Sequence, residues 1–154
     1  MLHLTIVAVG KIKEDYLRQG IAEYQKRLTA YAKLKIIEVP DSPLGRDPAW
    51  AQKEEGKRIS AVLKPRSFVA VCDPRGRKLT SEGFAQWLAD RESGGQEVSM
   101  VVGGASGIAP EVTARADDRL SFSDLTFPHQ LFRLLLLEQI YRGFKILRGE
   151  PYHL

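Results

Sequence analysis

The sequence predicts an α/β domain, a mainly parallel sheet with helices on both faces. Short apolar runs rich in β-branched residues alternate along the chain with longer stretches whose apolar residues recur at helical spacing, and parallel strands need such helical crossovers. The first of these runs is apolar almost without interruption, the mark of a strand buried on both faces. With 154 residues, 44% hydrophobic and 27% charged, the chain suits one globular domain over residues 1–154 rather than two.

Residues 2–9 form the first strand, stopped by Gly10. From Lys13 onward Tyr16, Leu17, Gly20, Ile21, Tyr24, Leu28 and Tyr31 recur at helical spacing, while Arg18, Glu23, Lys26 and Arg27 point away, giving an amphipathic helix. Residues 34–39 make a second strand, ended by Pro40 and the turn-rich DSPLGRDP. Ala49–Leu63 is a helix with a largely solvated face, and Ser67–Cys72 is the third strand. Thr80 caps a helix that buries Phe84, Trp87 and Leu88 and closes near Ser93-Gly94-Gly95. Val98–Val102 follows as a fourth strand, Pro110–Ala116 as a short helix and Arg119–Phe122 as a short fifth strand. The last helix runs from about Pro128, where a missing N–H costs little, to Leu147. Its segment Leu131–Leu137 is apolar all round except for Arg133, so it is either central to the domain or part of a subunit interface.

The charge balance, 23 Lys and Arg against 19 Asp and Glu, gives +4 and permits a nucleic-acid partner without requiring one. Cys72 is the only cysteine. It forms no internal disulfide, offers no Cys-rich zinc site and fits a reducing cytoplasm. No run approaches the roughly 18 apolar residues of a membrane span, and MLHLTIVAVG leads straight into KIKED, as a strand does and a signal peptide does not.

In parallel sheets ligands collect beyond the carboxyl ends of the strands, which directs attention to the loops after Val9, Cys72, Val102 and Phe122. Gly103-Gly104-Ala105-Ser106-Gly107 lets a ligand approach the backbone closely, although it lacks the phosphate-loop lysine and the dinucleotide spacing. Alone it fits a plain turn equally well. Asp73-Pro74-Arg75-Gly76 reads as a turn, and Ser123 or Thr126 as a cap for the last helix, with the neighbouring aromatics in the core. His129 and Arg133 lie four apart on that helix and can act together on an anion or a base, while Glu138, Arg142 and Lys145 form a second polar stripe, a solvated face or an interface salt bridge. No nucleophile elbow or zinc pattern is present.

The segments VAVGKIKEDYLRQGIAEYQKRL, IIEVPD, VVGGASG, LSFSDLTFPHQLFRLLLLEQIYRGFKILRGE and the terminal PYHL, in this order and spacing, resemble the ribosomal large-subunit pseudouridine N3-methyltransferase family (RlmH), a small branch of the trefoil-knotted SPOUT class. The resemblance covers essentially the whole chain. It implies a SPOUT-like C-terminal trefoil knot and a cytoplasmic homodimer. It also implies transfer of a methyl group from S-adenosylmethionine to N3 of a pseudouridine in 23S rRNA within the assembled ribosome, with no metal and no membrane.

Carried over position by position, the resemblance puts cofactor contacts at Cys72, Gly103 and the run Phe122, Ser123, Asp124, Leu125, Thr126 and Phe127, with Gly104 and Gly107 shaping the loop. The family usually has Leu where this chain has Cys72; a small apolar thiol can still line an adenine pocket. His129, Arg142, Tyr152 and His153 are expected around the target base. Arg142 would supply positive charge, His153 would accept the N3 proton and Tyr152 would stack on the base, leaving Arg133 and Glu138 structural. Phosphate-tracking cations are sought at Lys11, Lys13, Arg18, Lys26 and Arg27, joined by Arg46, Arg75 and Arg77. The competing readings are a non-catalytic ribosome or RNA-binding factor and a flavodoxin-like nucleotide-binding domain. Neither uses the glycine loop, the SFSDLTF run and the terminal PYH together.

Overall fold

A computed structural model describes residues 1–43 and 47–154; the expected phosphate contact at Arg46 lies outside them. The chain runs β1 (Leu2–Val9), α1 (Asp15–Leu28), β2 (Ala32–Val39), α2 (Pro48–Val62), β3 (Phe68–Lys78), α3 (Ser81–Gly94), β4 (Val98–Val102), α4 (Pro110–Arg115), β5 (Asp118–Ser121) and α5 (His129–Leu147). The five strands form one sheet in the order β2-β1-β4-β3-β5, every pairing parallel, as the alternating pattern predicts.

Strand periodicity divides the core. Leu4, Ile6 and Ala8 of β1 pack with Ala70, Met100 and the buried faces of α1, α3 and α5. Val7 and Val9 face the other way, with Val69, Val71 and Val101, against Ile59 of α2 and Val112 of α4. Both faces of the sheet are therefore covered by helices. The helix apolar all round its girth is central to the domain, since α5 packs against both α1 and α3 and leaves Leu136, Leu137, Ile140 and Phe144 with no exposure.

The structure differs from the sequence reading at four places. Tyr16 of α1 stands 67% exposed rather than on the buried face with Leu17 and Ile21. Strand β2 starts at Ala32, because its register with β1 runs unbroken from Leu2–Ala32 to Val9–Val39. Asp73-Pro74-Arg75-Gly76 is a bulge inside β3 rather than a turn after it: pairing with β5 breaks at Cys72 and resumes at Arg77 with Leu120. A Cβ on Gly76 would lie 2.6 Å from the Arg119 carbonyl carbon, so the bulge can hug β5 only with glycine there. Finally, Pro128 is the N-cap of α5, with no side-chain cap, and Ser123 Oγ instead accepts from Leu125 N (2.9 Å) within the preceding loop. Thr80 caps α3 as expected, accepting from Gly83 N at 3.0 Å.

Arg133 is 1% exposed. Its guanidinium donates to Val9 O (3.2 Å) and Gly10 O (2.9 Å) and pairs with Glu38 at 2.5 Å. It ties the first turns of α5 to the carboxyl ends of β1 and β2, which makes it a structural cation.

Candidate functional site

The parallel sheet brings the bulge of β3 and the loops after β4 and β5 together at one end, and a cavity of about 580 Å³ opens there. Such a volume lies within the ordinary range for small-molecule sites. Its floor is built from the strand ends: Cys72 and Val102 are register partners across β3 and β4, and Leu120 of β5 sits beside Cys72. One wall is the glycine loop after β4 and the opposite one the segment between β5 and α5, where Phe122, Ser123, Leu125, Thr126 and Phe127 reach the cavity. Asp124 does not line it and pairs instead with Lys78. Phe122 is fixed by edge-to-face contacts with Phe84 (5.2 Å) and Phe132 (5.6 Å), whereas Leu125 stands 72% exposed at the rim.

The glycines of the loop are there for close approach. A Cβ on Gly103 would meet Ile108 Cδ1 at 2.8 Å and the Gly107 carbonyl carbon at 3.1 Å, and one on Gly104 would meet Val9 Cγ1 at 2.9 Å. The loop is pinned by its own bond from Gly107 N to Gly104 O (3.1 Å) and by Gln52 of α2, whose Nε2 donates to Ser106 O at 2.8 Å. Gln52 was invisible in the sequence, where α2 reads as a solvated helix.

Asp73, immediately after Cys72, also lines the cavity. Burial would raise its carboxyl, but bonds from Arg75 N (2.9 Å), Arg119 Nη2 (3.0 Å) and the Arg75 side chain outweigh that and hold it below the usual range. Arg75 lines the cavity and is exposed, while Arg77 is bound to Asp118 (2.7 Å). Desolvation pushes the Cys72 thiol up to about 12, so it remains a neutral, apolar wall group. His129, the first residue of α5, lines the cavity as well. Burial and the nearby Arg133 and Lys13 lower its pKa, against the opposing pull of Asp41 and Glu55, which leaves an uncharged imidazole at neutral pH.

Arg142, Tyr152 and His153 come together elsewhere; none of the three lines the cavity. Arg142 binds Glu138 at 2.7 Å, Tyr152 OH donates to Glu138 Oε2 at 2.7 Å and lies 3.3 Å from Tyr24 OH, and Tyr152 packs edge-on to Tyr141 at 4.9 Å. His153 sits between Arg142 (3.0 Å) and Glu82 (3.1 Å). The chain end is thus held against α5 and the start of α3, and a single protomer separates His129 from the other three residues expected around the base. Of the cations on and just before the first helix, Arg18 is bound to Asp15 and Arg27 to Glu23, while Lys11, Lys13 and Lys26 are exposed. Among the described residues no helix is long and apolar enough to cross a membrane.

A sequence family described as "Predicted SPOUT methyltransferase" matches residues 2–153. The chain is 53% identical over 158 residues to a protein of Carboxydothermus hydrogenoformans named ribosomal RNA large subunit methyltransferase H, covering 99% of both chains. Proteins of the same name from Moorella thermoacetica and Pelotomaculum thermopropionicum are 50% and 49% identical over 159 residues, again with 99% of each chain covered.

Proposed function

The chain belongs to the SPOUT methyltransferase family, and from that premise we propose that it transfers the methyl group of S-adenosylmethionine to N3 of a pseudouridine in 23S rRNA, in the cytoplasm, on the assembled ribosome. In this reading residues 1–154 form a single knotted methyltransferase domain acting as a homodimer. The relatives' shared name supports the ribosomal RNA substrate.

The observation that carries the reading is the cavity lined by Cys72, Gly103, Phe122, Ser123, Leu125, Thr126 and Phe127, where Gly103 and Gly104 leave no room for a Cβ. Its volume of about 580 Å³ and its mixture of apolar walls with open backbone suit an adenosyl ligand. When bound, the sulfonium supplies a methyl carbon already activated for in-line displacement, and no metal is required for that step. The chain's own work is to orient and to manage one proton. Leu125 and Phe127 cover the adenine, and the loop backbone at Gly103 gives close hydrogen bonds.

The N3 imide loses its proton as it attacks: Arg142 turns from His153 Nδ1 to stabilise the imide anion, and that nitrogen, thereby released, accepts the proton. Tyr152 stacks on the base. Because Arg142, Tyr152 and His153 lie off their own chain's cavity, the partner's tail completes each active site, with His129 contributed by the chain that holds the cofactor. Exposed Arg75 at the cavity and the exposed lysines Lys11, Lys13 and Lys26 on and before the first helix meet RNA phosphates.

Transfer of labelled methyl from S-adenosylmethionine to assembled ribosomes lacking the modification, with free large subunits and naked RNA in parallel, tests the reading. Label on a large-subunit pseudouridine in assembled ribosomes alone is the expected result. Absence of label from all three, together with no binding of S-adenosylmethionine, would leave a non-catalytic ribosome or RNA-binding factor.

A further inference from the structure

Behind the glycine loop lies a carboxylate that belongs neither to the expected cofactor contacts nor to the residues expected around the base. Glu55, on the third turn of α2, is 4% exposed. Its Oε2 accepts from Ser42 N at 2.9 Å, but its Oε1 is buried with no hydrogen-bond partner. That oxygen faces the loop, 3.4 Å from where a Cβ on Gly104 would sit. One turn earlier on the same helix Gln52 lines the cavity and holds Ser106 O. The Gln52–Glu55 side of α2 is therefore the backing of the ligand wall.

A buried carboxylate oxygen without a donor is costly unless a cation or donor arrives to meet it. Asp73, the carboxylate on the cavity floor, already has two such partners in Arg75 and Arg119. Glu55 has no cation within ion-pair distance among the described residues; Arg58, one turn further along α2, is committed to Pro40 O (2.9 Å) and Ser42 Oγ (3.1 Å). Oε1 and the Val9 side chain lie together behind Gly104, a residue of the cavity wall, and in this dry setting the field of the carboxylate reaches the ligand with less screening than it would through water. Gly104 serves a second purpose here, since a side chain at that position would stand between the charge and the site.

We infer that Glu55 is a specificity-determining residue that supplies the negative charge matching the cationic half of the methyl donor, its sulfonium and α-ammonium. The inference rests on the proposed use of S-adenosylmethionine. It assigns to α2 the preference for charged ligands that the apolar adenine walls cannot provide.

The test measures binding by calorimetry for S-adenosylmethionine, S-adenosylhomocysteine and 5′-methylthioadenosine, which keeps the nucleoside but carries neither positive charge. Glu55→Gln preserves an acceptor for Ser42 N and removes the charge. It should weaken S-adenosylmethionine by about fivefold or more while leaving 5′-methylthioadenosine within about twofold. A loss shared equally by S-adenosylhomocysteine assigns the effect to the ammonium, and a larger loss for S-adenosylmethionine assigns it to the sulfonium; both support the inference. Equal changes for S-adenosylmethionine and 5′-methylthioadenosine, or none, overturn it. Should the variant not fold, the parental protein still decides, because affinity for 5′-methylthioadenosine as high as for S-adenosylmethionine overturns the inference and a clear preference for the charged ligand supports it. Failure of the parental protein to bind any of the three rejects the proposed function itself, and the inference with it.

Discussion

Arg142 Nη1 lies 3.0 Å from His153 Nδ1. A guanidinium can only donate, so Nδ1 is the acceptor and the imidazole proton sits on Nε2, where Glu82 Oε1 receives it at 3.1 Å. The one lone pair with which His153 could take a proton is thus directed at the cation assigned to the imide anion. Arg142 and His153 form a unit, tethered through Glu138 and Glu82 to two different helices.

Removal of that unit should abolish chemistry and spare cofactor binding. His153→Ala is expected to lower methyl transfer by about a hundredfold or more, with affinity for S-adenosylmethionine unchanged because the cavity lies elsewhere. Single-turnover transfer at the parental rate would remove His153 from the mechanism.

Separation of His129 from the tail within one chain predicts complementation. Chains carrying His129→Ala and chains carrying His153→Ala should each be poorly active, and mixing them should regain activity in the heterodimers that combine one intact cavity with one intact tail. Subunit exchange followed by mass spectrometry provides the control; exchanged heterodimers as inactive as their parents would contradict a shared site.

Loss of Arg133 should act on stability. Arg133→Met leaves the Val9 and Gly10 carbonyls without their donor and Glu38 without its cation. Glu38 is 37% exposed and regains water, so the cost should sit near the low end for broken buried pairs, about 3 kcal/mol. Urea unfolding measures it, and a change below about 1 kcal/mol would show that the buried cation is not a fastener.

Gly103→Ala places a methyl group 2.8 Å from Ile108 Cδ1 and against the Gly107 backbone. The isoleucine end can move but the backbone cannot do so without reshaping the wall. Affinity for S-adenosylmethionine should fall about tenfold with little change in unfolding midpoint. Parental affinity would mean that the loop does not touch the ligand.

His129 should make stability depend on pH. Its pKa in the folded chain lies below the ordinary 6.5, so the unfolded chain binds the proton more readily and stability is lost as pH falls below about 6.5. Urea midpoints between pH 7.5 and 5 should drop more steeply for the parental protein than for His129→Gln. Parallel profiles would show that the imidazole is not desolvated as its place in α5 requires.

Much of the architecture was legible because each element carries its own periodicity. The β-branched runs marked the first four strands, while β5, Asp-Arg-Leu-Ser, carries no such residue and was legible only from its place in the alternation, and Thr80 marked the start of α3 through its side-chain bond to Gly83 N. The β3 bulge was not legible, since Asp-Pro-Arg-Gly is also good turn chemistry and only the return of Arg77 to Leu120 decides between the two. The glycine loop could be named from its place after a buried strand, but Gln52 and Glu55 could not, because their role depends on α2 passing behind that loop. Nor could spacing tell that Arg133, four residues from His129, turns inward to the β1 carbonyls.

The sequence by itself determined the class of fold, the order of its elements and, through resemblance along its whole length, its family, since periodicity, caps and motifs are properties of short stretches. Tertiary structure decided which of the named side chains share a space. It placed His129 at the cavity and Arg142, Tyr152 and His153 away from it, because grouping at a site is set by which strand ends and helices pack together across the sheet, and separation along the chain says nothing about that.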